Sequence, residues 1–136
     1  MIFIDSNIPM YFIGGDHPNK RITQATLEDL ISRRESLVTN AEVLREIIHR
    51  YTAVRRKEFI QPAFDLMHSF IEKIFDVTET DAAGAKDLVL RYNHLSARDA
   101  LHAAQMQRLR ITTIFSFDSG FDRMPGFKRV PPSLPS

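Results

Sequence analysis

The chain contains no cysteine. Disulfide bonds and thiolate metal ligation are therefore excluded, and the usage is compatible with the cytoplasm, the location expected here. No apolar run approaches the ~20 residues needed to cross a bilayer. No basic stretch precedes the first apolar run, and Asp5 interrupts that run, so neither a membrane span nor a secretory signal is expected. Several catalytic signatures are also missing. The Gly14-Gly15 loop lacks the Lys-Ser/Thr of a phosphate-binding loop. There is no G-x-S-x-G for a serine hydrolase and no G-x-G-x-x-G for a dinucleotide. His17, His49, His68, His94 and His102 form no H-E-x-x-H zinc pattern. No internal repeat is visible.

What is present suits one globular domain with one core. The chain has 136 residues, 43% hydrophobic and 26% charged. The formal net charge of +1 selects no partner by itself. Its distribution is more informative. Arg33-Arg34, Arg45, Arg50, Arg55-Arg56-Lys57, Arg108, Arg110 and Lys128-Arg129 are positive clusters. Each reads either as solvated surface or as part of a basic rim that attracts phosphates to an acidic centre.

Strand and helix patterns alternate. Met1 to Ile4 is a short apolar run that reads as a buried strand ending at Asp5. Ile8 to Ile13 reads as a turn or two of helix, and 14–19 as a loop. Helices are predicted over Gln24–Arg34, Ala41–Val54 (capped by Thr39 or Asn40), Glu58–Ile71, Thr80–Tyr92 (capped by Thr80) and Ser96–Leu109. The Ala41–Val54 helix is given an inward stripe of Leu44, Ile47, Ile48 and Tyr51. Further strands are predicted at Leu37-Val38, Ile74–Val77, Thr112–Phe115 and Phe127–Val130. Residues 1–130 are read as a single domain and 131–136 as a mobile tail. The alternation implies an α/β fold with a central parallel sheet and right-handed crossovers, with ligands beyond the carboxyl ends of the strands.

Four carboxylates stand where such a sheet can gather them. Asp5 and Asp118 each follow a strand, while Glu46 and Asp99 lie on helices. Each also has an ordinary reading. Asp5 and Asp118 can cap the next segment, and Glu46 can sit on a solvated face, paired with Arg50 one turn on. Asp99 can complete a capping box with Ser96. Glu42 competes with Glu46, and spacing does not choose between them. Asp122 is a weaker candidate that can instead pair with Arg123 or Lys128. His102, three residues after Asp99, reads as a partly buried helix residue rather than a ligand. Clustered carboxylates without cysteine or a histidine pair suit a hard cation such as Mg²⁺ or Mn²⁺. Metal-assisted phosphodiester hydrolysis is the first hypothesis.

Together these segments resemble the PIN-domain ribonucleases, and among them the VapC-type toxins of toxin–antitoxin pairs. Met-Ile-Phe-Ile-Asp5-Ser6-Asn7 looks like the family's opening strand with its first acid. Thr39 to Ile47 looks like the segment carrying the second, placed by the match at Glu46. Leu95-Ser96-Ala97-Arg98-Asp99-Ala100-Leu101-His102 resembles the third-acid helix. Thr113 to Asp122 resembles the last strand and fourth acid, with Ser116 where the family usually has threonine. The resemblance covers nearly the whole chain. It implies a three-layer α/β/α fold and a Mg²⁺- or Mn²⁺-dependent endonuclease acting on single-stranded or looped RNA. It also implies a homodimer, and a cognate antitoxin that covers the acidic cleft.

On this reading Asp5, Asp99 and Asp118 hold the cation, directly or through water, and Glu46 holds a water of that ion or a second ion. Ser6, Asn7 and Ser116 orient the carboxylates, and Arg45 or Arg98 contacts a phosphate. Tyr11, Phe12 and Phe121 are candidate base-stacking residues that otherwise belong to the core. The competing reading is a non-catalytic PIN-like module that binds a protein or RNA partner, distinguished by whether metal binds. A receiver-type signalling domain needs adjacent acids early in the chain, and an aspartate-nucleophile phosphatase needs D-x-D. Asp5-Ser6-Asn7 supplies neither.

Overall fold

The computed structural model describes residues 1–131. Among these, five short strands form one sheet: β1 (Ile2–Ile4), β2 (Leu37–Asn40), β3 (Lys73–Phe75), β4 (Thr113–Phe115) and β5 (Lys128–Val130). All pairings are parallel and the order is β3-β2-β1-β4-β5. The helices are α1 (Asn7–Ile13), α2 (Pro18–Ser32), α3 (Ala41–Ala53), α4 (Ile60–Phe70), α5 (Glu79–Arg91) and α6 (Ala97–Leu109). Single 3-10 segments cover Lys57–Phe59 and Ser119–Arg123. The chain leaves central β1 towards β2 and β3, then returns to lay β4 and β5 on the other side. Right-handed crossovers therefore put α1–α4 on one face and α5–α6 on the opposite face, a three-layer α/β/α sandwich. Helix α1 packs on α2 and α4, and α5 packs on α6. Beyond Pro131 the expected mobile tail lies outside the described residues.

Strand β1 is buried on both faces. Ile2, Phe3 and Ile4 are at most 7% exposed, which is why the run is continuously apolar rather than alternating. It pairs Phe3 with Val38 on one side and Ile114 on the other. The α5/α6 contact is close. A Cβ at Gly84 would lie 3.1 Å from the Ala104 methyl, so a glycine stands there to let the helices meet.

Three expectations shift. Helix α2 starts at Pro18 rather than Gln24, because His17 Nδ1 accepts the Asn19 N–H and proline suits a first helical position. Helix α5 is capped by Thr78, not Thr80. The Thr78 hydroxyl takes the Asp81 N–H at 3.2 Å while the Asp81 carboxylate takes the Thr78 N–H at 3.1 Å. On α3 the buried face is Val43, Glu46, Ile47 and Tyr51, while Ile48 is exposed. The expected stripe is thus rotated, and a glutamate lies within the real one.

Candidate active site

The site lies over the carboxyl ends of β1 and β4, where the strand order reverses. This is the topological switch point at which an open parallel sheet leaves a crevice. Asp5 follows β1, and its N–H still donates to the Phe115 carbonyl at 3.1 Å, so its backbone is fixed by the sheet. Its Oδ1 accepts the Ser6 N–H at 2.8 Å, and its Oδ2 accepts the Ser116 hydroxyl at 2.6 Å. Ser116 Oγ in turn accepts the Asp118 N–H at 3.0 Å and, at a long 3.4 Å, the Asn7 amide. One buried hydroxyl therefore ties the first acid to the last. Thr39 braces the same edge by donating to the Ile4 carbonyl at 2.8 Å.

Glu46 reaches the site from α3. It is 5% exposed, and its Oε1 lies 3.0 Å from His102 Nε2. His102 Nε2 is also 4.0 Å from Asp5 Oδ1, so ligand atoms of Asp5, Glu46 and His102 gather within 4.8 Å of one another. Asn40 fixes the ring. Its Oδ1 takes the Val43 N–H at the start of α3, which turns its amino group towards Gln105 Oε1 at 2.9 Å and His102 Nδ1 at 3.1 Å. With Nδ1 accepting, a neutral ring carries its proton on Nε2, aimed at Glu46. Gln105 then donates to Asp81, which Arg108 holds at 2.6 Å. A buried polar chain thus runs from the site through the sheet end to the α5/α6 surface.

Asp99 sits in the first turn of α6, whose N-terminus Ser96 caps at 3.1 Å. Its carboxyl is pushed up to about 7. Burial contributes most, then a side-chain hydrogen bond with Asp118 and the negative charge of Asp118 and Asp5. The two carboxyls share one proton up to about pH 7. Asp118 is held below the usual carboxylate range, chiefly by that bond, with help from the Gly120 N–H and from Arg98 and Arg129. Asp5 is raised, mainly by burial. The Arg98 guanidinium is the counter-charge, with Nε 3.7 Å from both Glu46 Oε1 and Asp99 Oδ1.

Of the three buried side-chain oxygens without a hydrogen-bond partner among the described residues, Thr23 Oγ1 lies on α2 away from the acids and two belong to the site, Glu46 Oε2 and Asp99 Oδ1. An unpartnered buried carboxylate oxygen is costly unless a cation takes it. His102 has both ring nitrogens engaged, so the donors left over are carboxylate oxygens, the set a hard divalent cation requires. The residues therefore fit a divalent metal.

The structure brings Asp5, Glu46, Asp99 and Asp118 together, with Ser6, Asn7 and Ser116 as their hydrogen-bond partners. It does not bring Glu42, which Arg45 holds at 2.6–3.0 Å on the surface. Nor does it bring Asp122, whose two oxygens pair with Arg129 at 2.8 and 3.0 Å rather than with Arg123 or Lys128. His102, expected as a partly buried helix residue rather than a ligand, is fully buried and lies at the centre of the site as a hydrogen-bond partner of Glu46. The one sequence signal for it was its place one turn after Asp99. Of the candidate stackers, Phe121 is core at 1% exposure and Tyr11 is half-buried, lining a groove that opens from the acids.

The PIN domain family model matches residues 2–126. Ribonuclease VapC13 of Mycobacterium tuberculosis is 52% identical over 130 residues, 96% of this chain and 99% of that protein. Ribonuclease VapC23 of the same species is 38% identical over 118 residues, 87% and 93% of the two chains. Among solved structures, Mycobacterium tuberculosis VapC20, described as a sarcin-ricin loop cleaving toxin, superposes with a TM-score of 0.77 at 17% identity. That match covers 93% of this chain and 96% of that one. VapBC2 of Rickettsia felis, bound to a promoter DNA fragment, gives 0.72 at 22% identity, with 95% and 97% covered. At these identities the two structures speak for the fold.

Proposed function

We propose, for a chain that belongs to the PIN domain family and is similar throughout to the VapC ribonucleases, that its acidic cleft cleaves RNA phosphodiester bonds with a divalent cation, Mg²⁺ or Mn²⁺. The observation that carries this reading is the pair of unpartnered carboxylate oxygens on Glu46 and Asp99 within a cluster of four acids, three of them buried. Asp5, Asp99 and Asp118 are the residues that would hold the cation. When bound, the cation lowers the pKa of a water and polarises the scissile phosphate.

The protein's own groups do the rest. Ser116 and the Ser6 N–H fix the Asp5 carboxylate in one orientation. His102 pins Glu46 by Oε1 and leaves Oε2 to orient the attacking water and accept its proton. Arg98, at the mouth, draws the phosphate in. The role is that of a toxin whose cleft a cognate antitoxin covers, acting in the cytoplasm as a homodimer. No helix among the described residues is long and apolar enough to cross a membrane.

The test is incubation of total bacterial RNA with purified protein, in Mg²⁺, in Mn²⁺ and in chelator. Cleavage at discrete sites is expected only with metal, and Asp5→Asn and Asp99→Asn should each lower it at least ~100-fold. Full activity in both folded variants would remove these residues from the mechanism.

A further inference from the structure

One groove of about 610 Å³ opens from the acids and runs between α1 and α3, lined among others by Asp5 and Glu46 at one end and by Tyr11, His49, Arg50 and Ala53 beyond. Its chemistry changes along its length. His49 and Arg50 follow Glu46 by three and four residues, so they continue its side of α3. Arg50 stands about 6 Å farther along the helix axis, the span of about one or two nucleotides at a stacked rise of about 3.4 Å. Both side chains are exposed, and among the described residues neither makes an ion pair or hydrogen bond. Arg34, Arg55 and Arg110 are likewise without a side-chain partner among the described residues but do not line the groove, while several other cations are paired. Arg33 pairs with Asp29 and Glu35, Arg45 with Glu42, Arg108 with Asp81 and Arg129 with Asp122. Across the groove the Tyr11 ring packs T-shaped on Phe117, with centroids 5.1 Å apart, and tilted on His17 at 4.9 Å. Ala53 keeps the far end open.

We infer that this groove is the binding path for the RNA flanking the scissile bond: a phosphate on Arg50 and His49, and an unstacked base against Tyr11. The inference rests on the ribonuclease reading of the adjoining acids. An uncompensated cation one helical turn from a metal-binding cluster, facing an aromatic ring held by two neighbouring rings, matches the two halves of a nucleotide. A base inside a duplex has its faces covered, so the groove selects single-stranded or looped RNA. On the other side of the acids, Arg129 is already occupied by Asp122 and by the Ser116 carbonyl, so the strand is gripped on one flank.

The experiment measures two things on the same proteins. One is fluorescence anisotropy of a labelled mixed-sequence 12-nucleotide RNA, single-stranded or annealed, across a salt series in chelator. The other is metal-dependent cleavage of total RNA, followed by kinetics on an oligonucleotide spanning a mapped site. The proteins are wild type, Arg50→Ala, Tyr11→Leu, Tyr11→Phe and, as a charge control outside the groove at the end of α2, Arg33→Ala. Arg50→Ala should flatten the salt slope of binding by about 0.7 and raise KM with kcat unchanged. Tyr11→Leu should weaken single-strand binding about tenfold, Tyr11→Phe should restore it, and Arg33→Ala should match wild type.

If wild type cleaves RNA and the Arg50 and Tyr11 variants cleave and bind equally well, the groove is not the path, although the ribonuclease reading stands. Single-strand binding that depends on Arg50 and Tyr11 without any cleavage would keep the groove and remove the ribonuclease reading. Absence of both binding and cleavage removes both.

Discussion

Asp99 binds its proton more tightly in the folded protein, at about 7, than the usual carboxylate near 3.8 allows. Between those values the folded state carries a proton that the unfolded state has lost. The metal-free protein therefore loses stability as pH rises from about 4 to about 7, and above 7 that contribution is gone. Asp5, also raised, acts in the same direction, while Asp118, held low, loses its contribution only in more acid solution. Asp99→Asn is neutral at every pH and removes the repulsion. In chelator its Tm should exceed that of wild type at pH 8, with the gap closing towards pH 4. Equal melting curves at pH 8 would show that Asp99 does not carry the strain. His102 makes a separate prediction. Because it holds Glu46 by one oxygen, His102→Gln should lower kcat about 10–100-fold while leaving KM near its wild-type value, as single-turnover and steady-state assays can separate.

At the scale of the element, α3 shows why Glu46 was hard to place. Its wheel invites a stripe of Leu44, Ile47, Ile48 and Tyr51 with glutamate in water. The observed helix is rotated so that Glu46 is inside and Ile48 is 44% exposed. The partner that makes this tolerable, His102, lies 56 residues later on α6, and no local pattern reports it. Caps, by contrast, are local. Ser96, Asn40 and Asp118 cap as their sequence positions suggest. The α5 cap was misplaced even though the signal was there, since Thr78 has an acid three residues on and Thr80 has Ala83. Thr78→Ala should cost about 1 kcal/mol in denaturant unfolding, and Thr80→Ala close to nothing. Equal losses would contradict the capping box.

For the whole molecule, the strand order decides where the acids meet. Reversal of the winding direction at β1 leaves its carboxyl end uncovered, and helices from opposite faces, α3 and α6, lean over the gap. Three raised or crowded carboxyls at that gap are relieved by a divalent cation, so binding should stabilise the entire fold. Mn²⁺ or Mg²⁺ at 100 times its dissociation constant contributes about 2.7 kcal/mol. A rise of several degrees in wild-type Tm is expected, reversed by chelator and absent in Asp5→Asn. A flat response in wild type would mean that the cluster holds no ion.

The sequence by itself determined the elements, their parallel α/β arrangement and the identity of the acids at the strand ends. Apolar runs, turn residues and caps are short-range signals, and Asp5 and Asp118 inherit their places from the strands they follow. Only the tertiary structure decided between Glu46 and Glu42, removed Asp122 to an ion pair with Arg129, and joined Asn40, His102 and Gln105 into a buried support for the site. The Arg129 pair spans only seven residues, but the support for Glu46 depends on a ring and amides contributed by elements 56 to 65 residues apart. Burial makes such pairings decisive, because a polar group withdrawn from water must find its partner wherever the fold supplies one.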